Sequence, residues 1–480
     1  MERPAAHPIK LFNTLTRSVD PFVPGAAPPA GPATVGVYCC GPTVYNFQHI
    51  GNLRTYIFED LLVRTLRRAG YQVKHVMNIT DVGHLVSDAD EGEDKMAVAS
   101  RREGKTSHEI AEYYTGIYFE HCSWLNITRP TVVCKATDHI GPMLDLIGRL
   151  EKCGSAYQAG GNVYFDVSTF PEYGKLAKLD LDSLKAGARI DVDQSKRNAL
   201  DFALWFTKSK FENQELQWES PWGRGYPGWH IECSAMAMKY LGESFDIHCG
   251  GIDHIPVHHT NEIAQSEAAT GRPFSRFWMH GGFLVTGKEK MAKSKGEFLT
   301  LDLLKEKGFD PIAYRLLCLN SHYRSELAWS WNALEGAANT LKRLKQSVLA
   351  LDPAAEYQDG GISDRRAAEL ESAFGDAVYT DLALPRALAV MHETLGDDKL
   401  SPAAKRRLLC GFDQVFGLGI GSWKLEGFLV PEDVRKLADE RQAARRDRRW
   451  SDADRLRKEI EQLGFVVKDL KDGYDLVPRE

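Results

Sequence analysis

The chain has 480 residues, 43% of them hydrophobic and 26% charged, enough to bury several cores in about three domains and too apolar for a disordered chain. Sixty Lys and Arg against 66 Asp and Glu give a net charge of −6, which excludes the strong basic excess of a histone-like protein but leaves room for a local basic patch. Nine irregularly spaced cysteines do not form a secreted disulfide framework, and no apolar run reaches the roughly 18 residues of a membrane span, so free thiols in a cytoplasmic protein are expected.

Along the chain, residues 21–32 hold five Pro and two Gly and read as a surface excursion, with the ordered fold starting after it. Val35 to Cys40 is a strand candidate, followed by a turn, an amphipathic helix from Leu53 to Ala69 closed by Gly70, and a second strand over YQVKHVMNI. Strand, helix and strand make a βαβ unit, the mark of a parallel sheet with a ligand crevice at its strand ends. The same signals return downstream as SFDIHCGG, a helix from Val257 to Ala269, and FWMHGGFLV. The sheet therefore reads as an α/β Rossmann-type domain, residues 1–124 and 226–300, split by an inserted subdomain at 125–225. Beyond Asp302 the periodicity is helical and predicts a bundle. Arg435 to Lys458 carries ten Lys or Arg against five Asp or Glu, a basic helix whose polarity suits a polyanion or, equally, a solvated face of i,i+4 ion pairs.

Three groups of residues carry candidate chemistry. His49, Ile50, Gly51 and Asn52 stand where a turn feeds a helix, and backbone N–H groups at a helix start attract phosphate. KEKMAKSKG, from Lys288 to Gly296, places four Lys within nine residues after a strand, where a mobile loop can neutralise charge on a departing pyrophosphate. Cys39, Cys40, Cys233, His248, Cys249, His254, His258, His259 and Glu262 are soft or borderline metal ligands without the CxxC spacing of a zinc ribbon. In a helix beginning near Val257, His258 and Glu262 share a face and His259 points about 100° away. Cys39 and Cys40 alternate across a strand, so only one faces a given crevice. Spacing alone thus nominates one His, one Glu and one or two Cys.

Taken together, these stretches resemble class I aminoacyl-tRNA synthetases, with His49–Asn52 in the place of the HIGH signature and Lys290–Ser294 (KMAKS) in that of KMSKS. YCCGPTVYNFQHIGN, GWHIECSAMAMKYLG, FDIHCGG and HHTNEIAQSEA narrow the resemblance to the cysteinyl-tRNA synthetase family, and it continues to about residue 470. The resemblance implies one Zn2+ per chain on Cys40, Cys233, His258 and Glu262, a cysteine pocket lined by Thr80, Trp229 and His248, and ATP held by Pro42, His49, Gly51, Asn52, Asp253 and Lys293. His49, Asn52, Lys290 and Lys293 would be the catalytic groups and Mg2+ would accompany ATP. It also implies stem-contact helices at 301–345, a helical bundle at 346–425, a small α/β anticodon-binding module at 426–480, a tRNA(Cys) partner and a monomer.

Asn52 replaces the last His of HIGH, Ala292 the Ser of KMSKS, HTNE stands for HENE, and NITDVGHL lacks the usual DD. The implied reaction forms cysteinyl-adenylate and pyrophosphate, then passes the acyl group to the terminal adenosine of tRNA. Two rivals use the same residues: a cysteine ligase of the mycothiol-biosynthesis type, and a tRNA-binding paralogue with weakened activity. The long helical region and basic tail after residue 340 favour tRNA.

Overall fold

The computed structural model describes residues 8–25, 33–83, 95–178, 195–208, 215–286, 289–290, 298–351, 362–424, 431–470 and 473–478. Five parallel strands form the central sheet: β1 (Thr34–Cys39), β2 (Gln72–Ile79), β3 (Val132–Lys135), β4 (Phe245–Gly251) and β5 (Ser275–Gly281). Their order is β5-β4-β1-β2-β3. The chain therefore winds one way from β1 to β3 and the other way from β4 to β5, and the crevice between the carboxyl ends of β1 and β4 is the switch point where such sheets bind ligands. Both faces are covered, which is why these strands read as nearly unbroken apolar runs. Helix α1 (Ile50–Arg68) packs on one face, while α2 (Trp229–Leu241) and α3 (Thr260–Thr270) lie on the other.

The sheet corrects two expectations. Strand β3 falls inside the stretch assigned to the insertion, so the separate part is the four-stranded antiparallel sheet of Ala156–Ala159, Asn162–Phe165, Phe202–Phe206 and Tyr226–Pro227. The ordered fold also starts before the proline-rich segment. Lys10–Asn13 and Ser18–Pro21 pair as a hairpin, Leu11 is fully buried, and Phe22 packs edge-on against Phe277 at 5.4 Å. Aromatic and aliphatic side chains on either side of Pro21 anchor this stretch, which its proline content concealed; residues 26–32 lie outside the described residues.

FWMHGGFLV does not run as one strand. The amide of Gly282 bonds to the carbonyl of Tyr323 at 2.7 Å, and Leu284–Thr286 then pairs with Leu327–Trp329. The helices Trp331–Leu349, Ile362–Val378, Leu384–Gly396 and Pro402–Phe416 follow in the helical region.

Two compact units divide at Gly421 and Ser422. In the second, the expected single basic helix is two helices, Glu432–Arg446 and Trp450–Gln462, broken where Arg448 takes φ 61°. They pack with the hairpin of Phe465–Leu470 and Gly473–Pro478 around Val434, Ala438, Ile460, Val467 and Leu476.

Candidate active site and metal cluster

Cys40 leaves β1 at the switch point, its amide bonded to the carbonyl of Cys249 at 3.2 Å. The next residue must be glycine, because a Cβ at Gly41 would stand 1.7 Å from the carbonyl oxygen of Asn78. The turn places the Cys40 sulfur on the α2 and α3 side of the sheet. Cys39 takes the opposite face beside Cys249 and Glu59, which settles which cysteine enters the crevice and removes Cys249 from it.

Six buried ligand-type side chains converge there: Cys40, Cys233, His248, His258, His259 and Glu262. Cys40 Sγ is 3.9 Å from Cys233 Sγ and 3.4 Å from His259 Nε2. The Glu262 carboxylate meets Nε2 of His248 at 3.1 Å, of His258 at 3.5 Å and of His259 at 3.8 Å. The four residues expected to hold a metal are divided between two overlapping sets that share Cys40: Cys40, Cys233 and His258 in one, and Cys40, His248, His259 and Glu262 in the other.

His259 departs from the ideal-helix reading. It precedes Glu262 by three residues, a spacing that also shares a helical face, and Ile255–His259 is a π-helical turn that alters the angular step before α3 begins. Thr260, where the related signature has Glu, closes that turn by donating to the carbonyl of Ile255 at 2.7 Å. His259 Nδ1 lies 2.8 Å from His280 Nε2, and His280 Nδ1 lies 2.7 Å from Thr14 Oγ1. His254 stays outside the six, its ring 5.2 Å from His258 and 5.0 Å from His259.

Burial pushes the thiols of Cys40 and Cys233 up and holds His259 and His280 well down, their histidine neighbours adding to the effect. Two thiols, imidazoles and one carboxylate, closely spaced and shielded from water, are the donor chemistry of a zinc ion, and a divalent cation would reverse the penalty on the thiolates.

Of the expected cysteine-pocket residues, His248 is a member of this cluster and Trp229 stands at its edge. The ring of Trp229, partly exposed, stacks on His258 at 4.3 Å, and His248 stacks on Trp278 at 4.5 Å. Thr80 Oγ1 accepts from Asn78 Nδ2 at 3.0 Å and faces Glu232 Oε2 at 3.4 Å. Thr80 also pairs with the loop after β1, donating its amide to the carbonyl of Pro42 at 3.1 Å.

The phosphate signature caps α1. His49 Nδ1 accepts from the Asn52 amide at 3.1 Å, so the neutral ring carries its proton on Nε2, and a Cβ at Gly51 would sit 3.0 Å from that ring. No acidic residue occupies the first turn, which leaves the positive helix end to an anion. Leu299 accepts the Ile50 amide at 2.9 Å and Phe298 lies edge-on to His49, so the chain leaving the lysine segment returns to this turn. Lys290 pairs through its backbone with Val285, but its side chain, Ala292 and Lys293 lie outside the described residues, as do residues 84–94 after NITDVG. Asp253 is exposed in the short turn after β4.

Sequence reasoning counted His259 among the candidate ligands but turned it away from the face of His258 and Glu262, and it missed His280 and Thr14 behind that ring and Glu232 beside Thr80. The His-His doublet and a histidine at the carboxyl end of β5 were the available signals, since ligands gather at that edge of a parallel sheet.

This doubly wound sheet, with a phosphate turn capping α1 at its switch point, defines a class I aminoacyl-tRNA synthetase catalytic domain. Residues 27–339 match the family model described as "tRNA synthetases class I (C) catalytic domain", and residues 429–474 match "Cysteinyl-tRNA ligase anticodon binding domain". Among curated relatives, the cysteine–tRNA ligase of Treponema denticola is 47% identical over 492 residues, covering 96% of this chain and 98% of that protein. Cysteine–tRNA ligase 1 of Burkholderia lata is 47% identical over 470 residues, covering 98% and 97%. The chain belongs to the cysteinyl-tRNA synthetase family. Solved structures share the fold at low identity: Mycobacterium tuberculosis methionyl-tRNA synthetase with methionyl-adenylate (TM-score 0.55, 16% identity, covering 80% of this chain and 90% of that one) and Agrobacterium radiobacter LeuRS with tRNA and LeuAMS (0.58, 12%, covering 82% and 84%). Among the described residues no helix is long and apolar enough to cross a membrane.

Proposed function

We propose that the cluster at the switch point is the cysteine-selecting zinc site of a cysteine–tRNA ligase, held by Cys40, Cys233, His258 and Glu262. The activity follows from the family: ATP-dependent activation of cysteine, then transfer to tRNA with release of AMP. The observation that supports the zinc reading is that Cys233 and His258 meet at Cys40, and Glu262 lies beside both His258 and Cys40, so that three separate stretches of chain supply buried donors to one cluster next to Trp229. When bound, zinc ionises and holds a thiol, a discrimination that shape alone does not provide against serine, whose hydroxyl is a harder ligand of far higher pKa.

The remaining work belongs to the chain. Trp229, His248 and Thr80 surround the bound cysteine so that its carboxylate faces the ATP α-phosphate. His49 through its Nε2 proton, Asn52, and the amides at the start of α1 bind the phosphates, with Pro42, Gly51 and Asp253 shaping the nucleotide site. Lys290 and Lys293 stabilise charge on the departing pyrophosphate, and Mg2+ enters with ATP. No side chain becomes covalently attached. The anticodon-binding match at 429–474 favours tRNA(Cys) as acceptor over an amino sugar.

The test is ATP–pyrophosphate exchange with a panel of amino acids, with and without a zinc chelator, followed by tRNA charging. Exchange specific for cysteine, lost on chelation and followed by charging, is expected. Exchange that survives complete zinc removal would overturn the zinc assignment.

A further inference from the structure

A second pocket lies on the opposite face of the sheet from the metal cluster. It is a cavity of about 180 Å³ between α1, β2 and the helix Ser107–Trp124, with Ser123 and Arg129 exposed at its rim. Its volume exceeds the ~150 Å³ of an engineered apolar cavity that takes up benzene. This cavity is not apolar. Glu59, 1% exposed, and His75, 2% exposed, both line it.

Neither group is satisfied from within the chain. The Glu59 carboxylate accepts no hydrogen bond from a described N–H or O–H donor and has only the Cys39 thiol alongside, and neither ring nitrogen of His75 has a hydrogen-bond partner. The adjacent Asp60 shows the contrast: it is bound by Arg315 at 2.6 Å, Arg64 at 2.8 Å and the Thr128 amide at 2.9 Å. Among the described residues no Lys or Arg lies within ion-pair distance of Glu59. Burial pushes its carboxyl well up and the His75 imidazole down to about 4. Buried polar groups are nearly always partnered, and one left bare costs kilocalories, so two in one cavity point to a missing occupant.

The walls indicate its chemistry. Tyr56 and Tyr118 present aromatic surface and Met77 a thioether, with the Tyr118 hydroxyl already donated to Met77 Sδ at 3.2 Å, while at the rim the Arg129 guanidinium already lies over the Phe119 ring at 4.0 Å. Of the two carboxyls that line it, Asp60 is held by Arg315 and Arg64 while Glu59 faces no cation, and a carboxyl of that kind beside aromatic rings is the environment that holds an organic cation, through charge at one end and ring quadrupoles around it. We propose that this cavity is a binding site for a small organic cation, an ammonium or guanidinium head on a short apolar body, with Glu59 as counter-ion and His75 as a second polar contact. This site shares no residue with the cysteine-activating site.

The test uses the full-length, zinc-loaded protein with three probes of one size, butylammonium, 1-butanol and butyrate, followed by ligand-observed NMR titration. Saturable binding of butylammonium at least about ten-fold tighter than 1-butanol is expected, with none for butyrate. Glu59→Gln should weaken it by about ten-fold or more by removing the counter-charge, and Ser123→Trp, a change at an exposed rim position, should block it. Absence of saturable binding would mean that the cavity holds water alone and would overturn the proposal. So would equal affinity for 1-butanol, or an affinity untouched by Glu59→Gln. Should Glu59→Gln fail to fold, Ser123→Trp decides, since unchanged binding in that variant places the cation elsewhere.

Discussion

Cys40 and Cys233 are 193 residues apart in the chain, yet their sulfurs lie 3.9 Å apart. One ends a sheet strand and the other sits one turn into α2, so neither can leave the site without moving a core element. Replacing Cys233 by Ser substitutes a hard neutral oxygen for a thiolate. Cys233→Ser is expected to weaken zinc binding by at least about 100-fold. Atomic absorption after dialysis, with chelator competition, reads this directly, and cysteine-dependent exchange should fall with it. Full zinc retention would remove Cys233 from the ligand set.

The two adjacent imidazoles give a sharper comparison. His258 Nε2 faces Glu262, while His259 points its Nε2 at Cys40 Sγ and is tied through Nδ1 to His280, which Thr14 holds in turn. His258→Ala should lose the metal, whereas His259→Ala, which removes an imidazole beside the four proposed ligands, should keep a full equivalent and bind it less tightly by about 10- to 100-fold. Metal content of the two purified variants decides, and the reverse pattern would exchange their roles.

At the phosphate turn, Asn52→Ala removes an amide donor at the start of α1, and exchange turnover is expected to drop by about 100- to 1,000-fold. Asn52→His, which restores a ring donor, should retain most of the rate. Equal loss in both variants would show that the position serves the helix cap instead of ATP.

Asp60 and Arg315 form an ion pair at 2.6 Å with both side chains fully buried, and Arg315 also donates to the carbonyls of Phe416 and Leu125. Burial alone would raise the Asp60 carboxyl, but Arg315, Arg64 and the Thr128 amide outweigh it and hold it below its usual value. The stability from this group is thus complete above the unfolded carboxyl value of about 3.9 and is lost as pH falls through the lower folded value. Arg315→Met leaves the buried carboxylate with only Arg64 and the Thr128 amide, and should destabilise by about 3 kcal/mol at neutral pH. Urea melts from pH 7 to pH 3 should show the gap between the two proteins narrowing toward the acid end.

Much of this was legible because motif and element coincide. HIGN announced a helix start, and the βαβ pattern placed the crevice where Cys40 emerges. The metal set was only half legible. Angular arithmetic on an ideal helix excluded His259, and the π-helical turn that readmits it has no signature in IPVHH. His280 and Thr14 reach the cluster through sheet order, which local periodicity does not encode. The proline-rich stretch misled in the other direction, since composition said surface while Phe22, within it, is core. Glu59 was invisible because FED inside an amphipathic helix reads as an ordinary exposed acid, and only packing reveals that it faces inward.

Helix α1 spans 19 residues, about 28 Å of continuous hydrogen-bonded backbone. Its first turn is the one capped by His49. One turn on, Arg54 holds the carbonyls of Gly282 at 2.8 Å and Ser325 at 2.5 Å, and at the far end Arg68 grips Gly411 at 2.7 Å and Glu371 of the helical bundle. A single stiff rod therefore runs from the switch-point crevice to the bundle. Because α1 is one unbroken helix, a change in the angle of the bundle would be carried to His49 with no joint along the way to absorb it.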